Sequence, residues 1–162
     1  MRIRKILLPA VLIAALCWSF AATTFAENHL KDLDDVRSSM TAIGNRIPAA
    51  TKISKPGDMR TLERVFEINN YALMTIESYL KMLKAYSFSG NKLNKDIITL
   101  VNNWLQFIAN FCSADIKYLD EARAGTQDKI VLELVDNERD SISRLMEAAK
   151  KGLTENSALL KE

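Results

Sequence analysis

The chain has 162 residues, 48% hydrophobic and 26% charged, with only 5 Gly and 3 Pro. That balance suits one globular domain and excludes collagen-like, low-complexity and strongly charged disordered chains. The formal net charge of +2 is too small and too unevenly spread to announce a nucleic-acid binder.

Residues 1–26 read as an export leader. Arg2, Arg4 and Lys5 form a basic start, an apolar run follows from Ile6 to Ala22, and Thr24-Phe25-Ala26 places small residues at −3 and −1 of a cleavage site. The run is 17 residues long and contains Pro9 and Ser19, short of the roughly 20 apolar residues of a membrane span. Cleavage is therefore expected, and a membrane is met only through the leader should it stay attached. Ile3 splits the arginines, which argues against a twin-arginine signal. Leu16 before Cys17 argues against lipidation, which wants a small residue there. The expected location is the periplasm, with the extracellular medium as the second choice.

Removing the leader takes three basic residues and no acid, so 22 basic residues become 19 against 20 acidic ones, a net of −1. The pI near 8.5 thus belongs to the leader, and no Lys/Arg block remains to bind phosphate. Nucleic acid is not an expected partner. Cys112 is then the only cysteine left, beside Phe111, and is expected as a small buried hydrophobe rather than a bridge. The core must hold the fold alone, and the remaining 136 residues suffice for that.

Four helices are expected, over about 28–47, 58–86, 94–123 and 127–152, with a tail at 153–162. The breaks are Ile47–Gly57, Ser87–Leu93 and Ala124–Gln127, which carry Pro48, Pro56, Gly57, Gly90 and Gly125. Between them apolar residues recur at three and four, never at the two-residue period of a strand. The first stripe is Leu30, Leu33, Val36, Met40, Ile43 and Ile47; the second is Leu62, Val65, Phe66, Leu73, Ile76, Leu80 and Leu83. The third is Ile97, Val101, Trp104, Ile108 and Phe111, flanked by Ile98, Leu105, Ile116 and Leu119; the fourth is Val131, Leu134, Ile142, Leu145 and Ala149. Asp58 and Thr126 are expected to cap the second and fourth helices. The fold class is all-α, a single antiparallel up-down-up-down four-helix bundle.

Polar residues interrupt these stripes. Asp115 projects into the apolar arc of the third helix, Asn69 into that of the second and Glu138 into that of the fourth, while Arg37 lies at the edge of the first. Arg37 lies 10 residues before Ile47, Asn69 11 after Asp58, Asp115 10 before Gly125 and Glu138 12 after Thr126. At about 1.5 Å per residue, all four stand roughly 15–18 Å from one end of the bundle. They are expected to form one buried polar layer. Such a layer fixes register and topology as a polar core residue does in coiled coils, or it holds a small ligand, proton or cation.

Metal and catalytic sites are not expected. The one histidine, His29, excludes the paired Glu-x-x-His motifs of di-iron bundles. Haem between His29 and Met146 is a remote option, because His29 is the third residue after the cleavage site, where chains fray. No Gly-x-Ser-x-Gly or Gly-rich phosphate loop is present. The expected function is non-catalytic binding of another protein or of itself. Tyr71, Met74 and Met82 are the expected contact residues, backed by Tyr79, Tyr86 and Phe88, since Met and Tyr are adaptable contact residues. The alternative is a carrier or sensor for a small ligand, proton or cofactor at Arg37, Asn69, Asp115 and Glu138.

Overall fold

A computed structural model describes residues 31–88 and 95–159, with side chains over 31–82, 96 and 98–157. The expected leader, His29, Leu30 and the side chains of Leu83, Tyr86, Phe88 and Ile97 lie outside the described residues. Four helices and no strand are present among those described: α1 over 31–53, α2 Pro56–Phe88, α3 Lys95–Gly125 and α4 Lys129–Leu159.

Apolar residues at three- and four-residue steps give each helix a buried stripe. Leu33, Val36, Met40, Ile43, Ile47 and Ala50 are buried from α1, and Leu62, Val65, Ile68, Ala72, Ile76 and Leu80 from α2. Ile98, Val101, Leu105, Ile108, Cys112 and Leu119 line α3, against Val131, Leu134, Val135, Ile142, Leu145 and Ala149 of α4. Each fully buried Leu or Ile contributes about 1.5–3 kcal/mol, so these stripes account for the assembly of the helices.

The break after the first helix is narrower than expected. α1 passes through Pro48 and reaches residue 53, leaving only Ser54 and Lys55 outside helix. Proline removes the donor that the Gly44 carbonyl would otherwise meet. The next turn nevertheless buries Ala50, and Thr51 and Ser54 donate hydroxyl bonds to the Ile47 and Ala50 carbonyls at 2.9 and 2.8 Å. α4 likewise runs past Gly152 through most of the expected tail. Gly152 is buried, and one turn beyond it Asn156 donates to Asn102 Oδ1 of α3 at 3.0 Å.

The capping of α4 falls on Asp128, not on Thr126. Its Oδ1 accepts from the amides of Ile130 and Val131 at 2.9 and 3.2 Å. Thr126 Oγ1 accepts from the Asp128 amide and donates to the Asp58 carboxylate. Asp58 lies inside the first turn of α2, which starts at Pro56, and so ties the starts of α2 and α4 together.

α3 is rotated from the expected setting. Its core line runs through Leu105 and Cys112 instead of Trp104 and Phe111. Smaller side chains on that line let α3 lie close on α4, its main packing partner, while the aromatic rings move to the flank. Phe66 and Leu73 of α2 also sit outside the buried line, Phe66 exposed and Leu73 half-buried.

Candidate functional site: a buried polar layer

Asn69, Asp115 and Glu138 are all buried, from α2, α3 and α4 respectively. The Asn69 amide nitrogen donates one hydrogen to the Met40 carbonyl of α1 at 2.9 Å and the other to Glu138 Oε2 at 2.8 Å. One side chain thus joins three helices. Space for it comes from Gly44 on α1, where an added Cβ would lie 2.8 Å from Asn69 Oδ1. Three residues after Glu138, one turn along α4, Ser141 shares a 3.0 Å hydroxyl bond with Ser39 of α1.

The electrostatics follow from burial. Desolvation pushes the Glu138 carboxyl up to about 7, with the Asp115 charge acting in the same direction and the Asn69 hydrogen bond opposing both. Burial also raises Asp115, against the pull of the Arg64 charge. The Cys112 thiol, one turn before Asp115, is pushed up to about 12 by burial and by the Asp115 charge, a backbone hydrogen bond opposing.

Arg37 is not part of this layer. Its guanidinium pairs with Asp34 on its own helix at 3.0 Å, and its side chain is 42% exposed. A position at the edge of a stripe lets a long cationic side chain turn outward to water. The cation that acts on Asp115 is Arg64 of α2 instead. It bonds Glu67 at 2.7 Å and lies over the Tyr118 ring of α3, 5.1 Å from the centroid. Height was a usable signal for it, since Arg64 is 6 residues after Asp58 and Tyr118 is 7 before Gly125.

The expected contact face divides. Tyr71 and Met74 are 59% and 64% exposed, Met82 is half-buried, and Tyr79 turns into the core. A second apolar surface, absent from the sequence reading, runs along α3 through Leu100, Trp104, Phe107 and Phe111. Trp104 and Phe107 pack edge to face with centroids 6.0 Å apart, and Phe107 stacks on Phe111 at 6.3 Å. Phe107 is nevertheless 56% exposed. These residues share the flank of α3 that presents Tyr118 to Arg64, and Tyr71 and Met82 share the flank of α2 that carries Arg64. The two sets therefore border one seam between α2 and α3. The signal was the four- and three-residue spacing of the rings, which reads equally as core.

Two surface recesses are present, one lined by Ile47, Pro48, Thr51 and Phe66, the other by Ala49, Ile53, Ile130 and Leu134 among others. Neither is lined by a residue of the polar layer. Among the described residues no group of three or more His, Cys, Asp or Glu is placed to hold a metal ion, and no helix is long and apolar enough to cross a membrane. Met146 is half-buried on α4, and its expected haem partner His29 lies outside the described residues. Comparisons with protein-family models, curated proteins and solved structures return no match to this chain.

Proposed function

We propose that this is an exported, non-catalytic four-helix bundle that works by binding another polypeptide, a partner protein or a second copy of itself, along the α2–α3 seam. The carrying observation is the aromatic row Trp104–Phe107–Phe111, of which Trp104 and Phe107 are exposed and Phe111 half-buried, continued across the seam by the exposed Tyr71. Large rings left in water are costly unless covered, and contiguous apolar patches of this kind mark contact surfaces. The leader-like start at residues 1–26 supports export, with the periplasm as the site of action. An up-down-up-down topology is supported by the pairs Asn102–Asn156, Asp120–Arg139 and Arg123–Asp136 between α3 and α4, in which one number rises as the other falls. Arg46–Glu133 and Ser39–Ser141 do the same for α1 and α4. Asp58–Thr126 and Asn69–Glu138 keep step along α2 and α4.

The test is a photo-crosslinking amino acid at Phe107, with the exposed Lys150 of α4 as the control position, expressed in cells that export the protein. A product of defined mass from position 107 alone, lost in Trp104→Glu, supports the reading. A monomeric native mass with no position-specific product counts against it.

A second reading, a sensor or carrier with a polar site inside the core, is favoured by the buried carboxylates of the layer. The unpartnered buried oxygens of Asp115 and Glu138 suit a ligand as small as a proton.

A further inference from the structure

Hydrogen-bond accounting in the layer comes out short of donors. Asn69 spends both amide hydrogens on Met40 and Glu138. Asn69 Oδ1, Asp115 Oδ2 and Glu138 Oε1 are buried with no hydrogen-bond partner. All three are acceptors when the acids are ionised. The groups facing Glu138 supply no remedy. α1 presents the Met40 carbonyl, and its Ser39 hydroxyl is engaged with Ser141. From α2 come Asn69 and, toward Asp115, Arg64, whose guanidinium is held at Glu67 and over Tyr118. α3 contributes Asp115 and the Cys112 thiol. On α4, Arg139 points away to Asp120. An unpaired buried acceptor costs free energy, and two ionised carboxylates in one buried site repel each other.

We propose that Asn69, Asp115 and Glu138 form a proton-binding site inside the bundle, loaded at Glu138, whose occupancy sets how firmly α2, α3 and α4 are held together. One bound proton turns a surplus acceptor into a donor and removes one of the two like charges. Burial and the Asp115 charge both favour the protonated acid. Loading tightens the bundle, and unloading leaves a charge among apolar side chains. The site therefore makes the protein firmer on the acid side of neutrality and looser on the alkaline side, whatever partner the α2–α3 seam takes.

The test is denaturant unfolding of the protein from pH 5 to pH 8, with a carbon-13 titration of the Glu138 carboxyl. An imidazole ordinarily changes charge in this window, so all measurements are made in a His29→Gln background. The folded-to-unfolded ratio should fall by a factor on the order of a hundred across the window. Glu138→Gln, which carries a permanent amide donor, should show little of this dependence. Asp115→Asn, which removes the neighbouring charge, should keep the dependence but move its midpoint to lower pH. A Glu138 carboxyl that titrates near the ordinary 4.5 overturns the proposal. So does a Glu138→Gln variant with the parent's pH profile. Should Glu138→Gln not fold, an unmoved midpoint in Asp115→Asn is equally fatal.

Discussion

Gly44 and Asn69 occupy one space: a Cβ on Gly44 would stand 2.8 Å from Asn69 Oδ1. The amide cannot swing aside without breaking its bonds to Met40 and Glu138. Gly44→Ala therefore sets two effects against each other. Alanine favours a helix over glycine by up to about 1 kcal/mol, while overpacking costs about 1–3 kcal/mol. The expected net result in urea unfolding is destabilisation. In an Asn69→Ala background the obstruction is gone, and the same substitution should stabilise by about 0.5–1 kcal/mol. The sign change between backgrounds is the diagnostic.

Asn69→Ala alone should hurt more at high pH than at low. Its hydrogen bond opposes the rise of the Glu138 carboxyl, so its removal pushes that carboxyl further up. The sign follows from proton binding: between about 4.5 and 7 the folded protein holds a proton that the unfolded chain releases, so stability declines as pH rises. For the parent protein that decline amounts to about 3 kcal/mol, complete above the folded value and absent below the unfolded one. At pH 8 the variant leaves a buried charge unpaired, at a cost of about 3–5 kcal/mol. At pH 5 the acid is neutral and the loss should be about 1–2 kcal/mol. Urea midpoints at the two pH values measure the difference.

Cys112 should be inert in the folded state. Its thiol is buried and raised from 9.0 to about 12, which leaves roughly a thousandfold less thiolate near neutral pH. Labelling with a thiol reagent at pH 8 should be slow, then become fast in denaturant. Asp115→Asn removes one cause of the rise, but burial remains the larger cause, so the variant should still label slowly. Rapid labelling of native protein would contradict the burial.

Phe107→Glu should separate stability from association. The ring is more than half exposed, and such surface changes usually fall within about 0.5 kcal/mol. Thermal unfolding should barely move, whereas any complex formed along the α2–α3 seam should weaken by at least about tenfold, as expected for charge placed in an apolar contact. Trp104, the only tryptophan after the leader, borders the site and reports its covering as a blue shift of emission.

The helices were legible because three- and four-residue spacing persists over about thirty residues in each of α2, α3 and α4. Their ends were less so. Pro48 reads as punctuation, yet the buried Ala50 and the hydroxyl bonds of Thr51 and Ser54 carry α1 past it. The setting of α3 was also hidden, since Trp104 and Phe111 fit an apolar arc as well as Leu105 and Cys112 do. Close packing on α4 decides between them, and that is a property of two helices together. Asn69, Asp115 and Glu138 could be read as interruptions of a stripe because each lies near its middle. Arg37, at an edge, could not be assigned, because the reach of its side chain offers both core and water. Asp34 one turn earlier settles it.

The tie between Asp58 and Thr126 joins residues 68 positions apart in the chain. It sits at the end where Asp128 caps α4 and Arg46 meets Glu133. The bundle is thus laced at one mouth, and the Asn69 staple closes it again about a third of the way along. A bundle fastened in this way should unzip with a direction: once the Asn102–Asn156 bond at the far end gives way, opening should proceed from there, and the segment between the lacing and the staple should be the last to come undone.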